Sequence, residues 1–330
     1  MLLHIDHRDT TDPHVNLALE EYCVRNLPPE NDYLLVYINA ACVIVGRHQN
    51  IFEEVDLNYA RRSRIPVVRR ISGGGAVYHD PGNVNYCIIR NSGRLGLARI
   101  EHYLRPVLTS LNRMGLAAEI DHRHAMHVQG RKISGTALFS NTRRVMVHGT
   151  LLFDADLETL DRVLRPPAGI IRSKSLKSVH SRVANLSEWM DAAMDRVRFS
   201  RRFLETLAAV CGGIRPYALS QRRWDAVCDL ADAKYRSWRW NYAKAPDFVV
   251  HRIAPAGTGT LEIRIEVRGG IIQSIRCGGT PWPESVLRGL EFRLKGARYE
   301  PNEIILRLNH AALDALGPSL TPEALAAILC

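Results

Sequence analysis

A chain of 330 residues, 46% apolar and 24% charged, has the balance of an ordinary globular protein and enough length for one large and one small core. No run approaches the roughly 20 apolar residues of a membrane span, and the opening Met1-Leu-Leu-His-Ile-Asp6 reads as neither a signal nor a transit peptide, so a cytoplasmic location is expected. Seven scattered cysteines without a C-x-x-C pair argue against a zinc ribbon and suit reduced thiols, while a net charge of +10 favours an acidic partner or nucleic acid.

In chain order, Asp12-Pro13 signals a helix start, with Asp12 as cap and Pro13 as first helical residue; Leu17, Tyr22 and Val24 supply an apolar face, and Asn26-Leu-Pro-Pro ends it. Strand-like runs follow at Tyr33–Ile38 and Cys42–Val45, then a polar loop, Gly46-Arg-His-Gln-Asn50, and a helix over Asp56–Arg64. Val67-Val-Arg-Arg-Ile-Ser-Gly-Gly-Gly-Ala-Val-Tyr-His-Asp-Pro-Gly-Asn83 is the most distinctive stretch. Three consecutive glycines let the backbone turn at positive φ and present N–H groups to an anion. Arg69 and Arg70 add planar, permanently charged donors suited to carboxylate or phosphate.

Val84–Ile89 reads as a strand and Ile100–Met114 as a helix ended by Gly115. Gly130-Arg-Lys-Ile-Ser-Gly-Thr-Ala-Leu-Phe139 reads as one glycine-bracketed strand, in which Lys132 sits among small and apolar residues; a half-buried lysine needs an anionic partner. Paired as a hairpin with Val145–Phe153, this run would gather Lys132, Ser134, His148 and Thr150. A short helix at 156–164 precedes a basic loop, Arg165–Arg182, that has the composition of a lid or docking segment. Helices are expected near 199–211 and 221–236, and an aromatic knot at Tyr235–Tyr242 marks a boundary. Beyond residue 248, Leu261, Ile263, Ile265 and Val267 alternate with charged residues, Gly269-Gly270 supplies a hairpin turn, and a helix is expected from about 284 to 295 with a helical tail.

These segments resemble the lipoate–protein ligase A family. The likeness rests on Asn16-Leu-Ala-Leu-Glu-Glu21, Gly46-Arg-His-Gln-Asn50, Arg69 to Asn83, Gly130-Arg-Lys-Ile-Ser-Gly-Thr-Ala137, His148-Gly-Thr-Leu-Leu152, Ser178 to Leu186 and Ser237 to Tyr242, which fall in the family's order along nearly the whole chain. The resemblance implies an α/β (α+β) fold: a mixed-sheet catalytic domain similar to biotin–protein ligases over 1–247, and a small C-terminal α+β accessory domain over 248–330. It implies that lipoate and Mg-ATP give lipoyl-AMP, and that the lipoyl group then passes to a lysine of lipoyl domains, in 2-oxoacid dehydrogenase subunits or the glycine-cleavage H protein. By the same likeness Lys132 is the catalytic residue. Arg69, Arg70, Ser72, Gly73, Gly74, Gly75, Ala76, Val77 and Tyr78 would join it in holding ATP or lipoyl-AMP. Arg47, Gly74, Asn83, Ser134, Gly135, His148, Gly149 and Thr150, again with Lys132, would hold lipoate.

One position departs from the family. Where its ligases show Arg-Asn-Asp before the lysine motif, this chain has Arg123-His124-Ala125, and alanine offers Mg²⁺ no oxygen. The histidines around it, His122, His124 and His127, read as polar loop residues. The departure leaves a second reading open, a transferase that uses preformed lipoyl-AMP or an acylated donor. A nucleic-acid-binding regulator on the same scaffold is remote, since the basic residues are dispersed and no added helix-turn-helix is present; Cys87, in an apolar strand, reads as core and not as an acyl carrier.

Overall fold

In the computed structural model, which describes residues 2–91, 100–166, 170–179, 181–256, 259–309 and 321–329, most helices follow the local signals, while strand pairing follows them only at the hairpins. Helix α1 (Pro13–Asn26) starts as expected: the Asp12 carboxylate accepts from the His14 N–H at 2.9 Å, and Pro13 opens the first turn. The other helices are α2 (Ile51–Glu54), α3 (Leu57–Arg62), α4 (Ile100–Arg113), α5 (Leu157–Val163), α6 (Arg196–Val210), α7 (Gln221–Leu230), α8 (Trp238–Asn241), α9 (Glu284–Leu294), α10 (Pro301–Asn309) and α11 (Pro322–Leu329). The run expected to be helical to residue 236 gives up the α form at Leu230 and closes with a wider turn over Ala231–Tyr235.

The chain forms two compact units. The first holds residues 1–47, 66–161 and 178–237. Its strands are β1 (Leu2–Ile5), β2 (Asp32–Ile38), β3 (Cys42–Val45), β4 (Val67–Arg69), β5 (Val77–His79), β6 (Asn83–Asn91), β7 (Ala118–Ile120), β8 (Met126–Val128), β9 (Arg131–Ser134), β10 (Thr136–Ser140) and β11 (Arg144–Leu152); β12 (Ile170–Ser173) belongs to the second unit, and β13 (Ile214–Tyr217) returns to the first. Six of them make a mixed sheet in the order β10-β11-β6-β2-β1-β13, parallel at β2-β1-β13 and antiparallel elsewhere. β2 and β3 are neighbours in sequence yet do not pair: β3 leaves to build a small sheet with β4 and β5.

Residues at every second position decide the layers. Leu34, Val36, Val84, Tyr86, Ile88, Val145 and Val147 join Tyr103, Leu104, Val107 and Leu111 of α4 and Phe199, Phe203 and Leu207 of α6 in the main core. The alternate positions carry Tyr37, whose hydroxyl reaches Glu20 of α1 at 3.0 Å. Cys87 is buried, and burial pushes its thiol well above the usual range, as expected of a core cysteine. All six described cysteines are free; Cys330 lies outside the described residues.

The second unit holds residues 48–65, 162–177 and 238–330. Its antiparallel sheet runs β12, β14 (Phe248–Ala256), β15 (Gly259–Arg268), β16 (Ile271–Thr280). In β15 the alternation read from the sequence holds, since Leu261, Ile263, Ile265 and Val267 are buried, and Gly269 and Gly270, at φ of 54° and 73°, make the two-residue turn into β16. Phe52, Phe248 and Tyr299 form an aromatic cluster with centroids 4.7–5.3 Å apart. Part of the basic loop is ordered differently from its composition: Ile170–Ser173 pairs with β14, and Ser173, Ser175 and Lys177 all engage the Glu53 carboxylate. Residues 167–169 and His180 of that loop lie outside the described residues.

The stacked pair Phe153 and Phe199, with centroids 4.7 Å apart, sits inside the main core. Phe199→Ala is expected to destabilise the protein by about 3–5 kcal/mol through lost burial and the cavity left behind, measured as a fall in the urea midpoint.

Candidate active site

β4 ends at Arg69, and the glycine turn begins at once. Both arginines point into the protein. The Arg69 guanidinium, 0% exposed, donates from Nη1 to the carbonyls of Gly46 at 2.9 Å and Arg47 at 3.3 Å. Arg70, 5% exposed, donates from Nη1 to Ile44 O at 3.1 Å, from Nη2 to Gly73 O at 2.5 Å and Gly75 O at 2.8 Å, and from Nε to Ser72 Oγ at 3.0 Å. Desolvation by burial pulls both guanidinium groups down to about 10. The loop's carbonyls at Gly73 and Gly75 are therefore turned inward onto a cation, which removes two oxygens that would repel an anion. Gly74 is exposed at φ 88°, a conformation that favours glycine, and a Cβ on Gly46 would collide with its carbonyl. Arg47 N–H holds Ser72 O at 2.8 Å, and Ala76 N–H donates to Ser178 Oγ at 2.8 Å.

The segment read as one strand from Gly130 to Phe139 is two. β9 pairs with β8 in a small three-stranded sheet, the chain breaks at Gly135, and β10 joins β11 in the main sheet. The expected hairpin thus forms for β10 and β11, with Ala137 opposite His148, while Lys132 sits in the other sheet, opposite His127. Gly135 bridges the two: its N–H donates to Thr150 Oγ1 at 3.1 Å and its carbonyl accepts from Thr150 N at 3.1 Å. A Cβ on Gly135 would lie 3.8 Å from Lys132 Nζ and from Val77 Cγ1, so the lysine head and the strand leaving the glycine loop flank the same glycine. Lys132 is half-buried; desolvation lowers its pKa against the opposing pull of the Asp121 carboxylate. No ion pair or hydrogen bond to its ammonium is formed by the described residues.

Other residues fall into place around these. Ser72 Oγ lies 2.6 Å from His148 Nε2, and His148 Nδ1 lies 2.7 Å from Glu20 Oε2. Gly149 has no room for a Cβ between Tyr86 and the Gly135 carbonyl. Ser134 is buried and its hydroxyl has no partner among the described residues. Asn83 donates to Asn85 Oδ1 at 3.0 Å, opposite Leu152, and is not bonded to the others. Tyr78 is buried in β5 as part of the small sheet. Sequence reasoning missed Glu20, Tyr37, His79, Asp121 and Ser178 as neighbours of the site. For Glu20 a signal existed: it lies three residues beyond Leu17 and four before Val24, on the apolar stripe of α1, where a carboxylate has to be explained.

Ala125 is buried in the turn between β7 and β8, donating its N–H to Asp121 Oδ1 at 2.9 Å; Asp121 also accepts from Arg123 N at 2.8 Å, and its Oδ2 meets His127 Nε2 at 3.1 Å. Both carboxylate oxygens are engaged. Among the described residues no group of three or more histidine, cysteine or acidic side chains is placed to hold a metal ion.

The model of the lipoyl protein ligase A/B catalytic domain matches residues 12–208, and that of the bacterial lipoate protein ligase C-terminus matches 245–329. The chain belongs to the lipoyl protein ligase A/B family. It is 36% identical over 324 residues to lipoate-protein ligase LplJ of Bacillus subtilis, covering 98% of each chain. Among solved structures, the bi-partite lipoate protein ligase of Thermoplasma acidophilum, described with its E2 lipoyl domain, has a TM-score of 0.62 at 25% identity, covering 73% of this chain and 94% of that one. A lipoate-protein ligase A bound with ATP shares the fold, with a TM-score of 0.63 at 24% identity over 73% of this chain and 98% of that one. The α+β architecture with a C-terminal accessory portion is that of the lipoate–protein ligases.

Two measurements probe this geometry. Gly46→Ala is expected to lower adenylation about 10-fold or more by forcing the Gly74 carbonyl out of place, read by pyrophosphate exchange. Desolvation, then Arg70 and His148, lower the His79 pKa from 6.5 to about 3, so between those values the unfolded chain binds a proton that the folded one refuses. Stability should therefore rise with pH across that window, and His79→Gln should flatten the rise by about one proton in urea melts taken from pH 4 to pH 7.

Proposed function

We propose that ligation runs at the glycine loop, with Lys132 as the group that serves both of its steps. The enzyme is an ATP-dependent lipoate–protein ligase: lipoate and ATP give lipoyl-AMP and pyrophosphate, and the lipoyl group then passes to a lysine ε-amine of a lipoyl domain. The observation that carries the residue assignment is an ammonium with no counter-ion among the described residues, half-buried beside a loop whose Gly73 and Gly75 carbonyls are held by Arg70.

In the first step a carboxylate must approach a phosphate, and both are anions. Backbone N–H groups of the Gly73–Gly75 loop and the Lys132 ammonium would offset that repulsion, and Arg70 supports the loop by holding its carbonyls without needing to touch substrate. In the second step the acceptor amine attacks the acyl carbonyl, charge builds on its oxygen, and the same ammonium stabilises it while the phosphate leaves as AMP. The adenylate is already activated, so no nucleophilic side chain is needed. Thr150 and Gly135 fix the backbone that carries Lys132, and Ser72, His148, Gly149 and Ser134 line the approach of the lipoyl carboxyl end.

The residues present do not make a resident Mg²⁺ site, because Ala125 offers no oxygen and Asp121 is committed to its own turn and to His127. Mg²⁺ is assigned to the nucleotide, whose phosphates supply hard oxygens. A transferase without adenylation is not favoured, since a relative matched over 98% of its length is named a ligase. Residues 1–247 are assigned to catalysis and 248–330 to the accessory domain, a division supported by the extents of the two family models. The acceptors we assign are lipoyl domains of 2-oxoacid dehydrogenase subunits and the glycine-cleavage H protein. A net charge of +10 suits acidic acceptors by steering their encounter. A cytoplasmic setting accords with the ATP requirement and the free thiols; no described helix is long and apolar enough to cross a membrane.

Lys132→Ala is expected to lower lipoate-dependent ATP–pyrophosphate exchange and transfer from supplied lipoyl-AMP by about 10²–10³ each, with an unchanged melting temperature. Near-normal turnover in either assay would remove Lys132 from its assigned role.

A further inference from the structure

Glu20 is 1% exposed, and no lysine or arginine side chain is bonded to it among the described residues. A buried carboxylate without a direct cation is costly unless its hydrogen bonds are complete. Its partners are Tyr37 Oη at 3.0 Å and His148 Nδ1 at 2.7 Å; beyond the imidazole come Ser72 Oγ at 2.6 Å and Arg70 Nε at 3.0 Å. With a neutral imidazole the donor roles along this chain run in one direction. Arg70 Nε has only a proton to give, shared between Ser72 Oγ and Gly73 O at 3.1 Å, so Ser72 Oγ accepts from it and gives its own hydrogen to His148 Nε2. His148 then carries its proton on Nδ1 and donates it to Glu20, which also accepts from Tyr37.

At one end stands the guanidinium that holds the carbonyls of Gly73 and Gly75, and at the other a buried carboxylate; two polar side chains join them. Arg70 and Glu20 are opposite charges, and the carboxylate counters the desolvation that lowers the Arg70 pKa. We infer that Glu20 is a positioning residue for the glycine loop, acting through His148 and Ser72 to keep Arg70 turned onto the loop carbonyls. The serine–histidine–carboxylate order is that of a hydrolase triad, but nucleophilic chemistry does not fit: Ser72 is 1% exposed and its oxygen receives the Arg70 N–H. This inference rests on the glycine loop being the adenylation site, and it adds Glu20, which touches neither the loop nor Lys132.

The test is a double-mutant cycle on the full-length protein, using Glu20→Gln and His148→Ala and reading lipoate-dependent ATP–pyrophosphate exchange and transfer from supplied lipoyl-AMP. Glu20→Gln, which keeps shape and removes charge, is expected to lower exchange about 10-fold. In the His148→Ala background the same change is expected to matter less than about 2-fold, because the path through the imidazole is already cut. Losses that multiply, or a Glu20→Gln rate within about 2-fold of wild type, overturn the inference. Exchange by the wild type establishes adenylation independently; without it the adenylation reading fails, and the cycle is scored on the transfer step. A ¹⁵N NMR measurement on the wild type decides the case should Glu20→Gln not fold: His148 protonated on Nδ1 is required, and a bare Nδ1 refutes the chain.

Discussion

The Arg70 guanidinium, folded back onto the loop it follows, is the interaction on which the rest of the site depends. A run of three glycines has no intrinsic shape, and its carbonyls are as available as its N–H groups. Bonds from Arg70 to Gly73, Gly75 and Ile44 choose between those alternatives by giving the carbonyls an internal partner and tying them to β3. The permanent charge of arginine and its fork of five donors suit this task, and lysine would not replace it.

A second constraint concerns Lys132. The break at Gly135 places the lysine in the small β7-β8-β9 sheet while His148 and Thr150 stay in the main sheet. The two sheets meet at Gly135, where Thr150 bonds to both its N–H and its carbonyl. Lys132 has no counter-ion among the described residues, a state with an electrostatic cost that an anionic ligand would relieve.

Asp121 organises the turn before β8 by accepting from Arg123 and Ala125, and it lends Lys132 a distant negative charge. This arrangement is structural and electrostatic.

The sequence by itself determined those features that arise within a few residues of one another. Asp12 and Pro13 start α1 because a cap and a proline act on adjacent N–H groups; β15 and its Gly269-Gly270 turn follow from alternation and positive φ. The order of motifs placed the glycine loop and Lys132 on the page, and with them the family. Only the tertiary structure decided which strands pair, that Gly130–Phe139 is two strands in two sheets, that Ile170–Ser173 adds to β14, and that Glu20 reaches Ser72 through His148. The reason is separation along the chain: Glu20 and His148 lie 128 residues apart, and Ser72 and His148 76 apart. Local propensity carries no information about such contacts, which exist only once the sheet has brought β11 under α1.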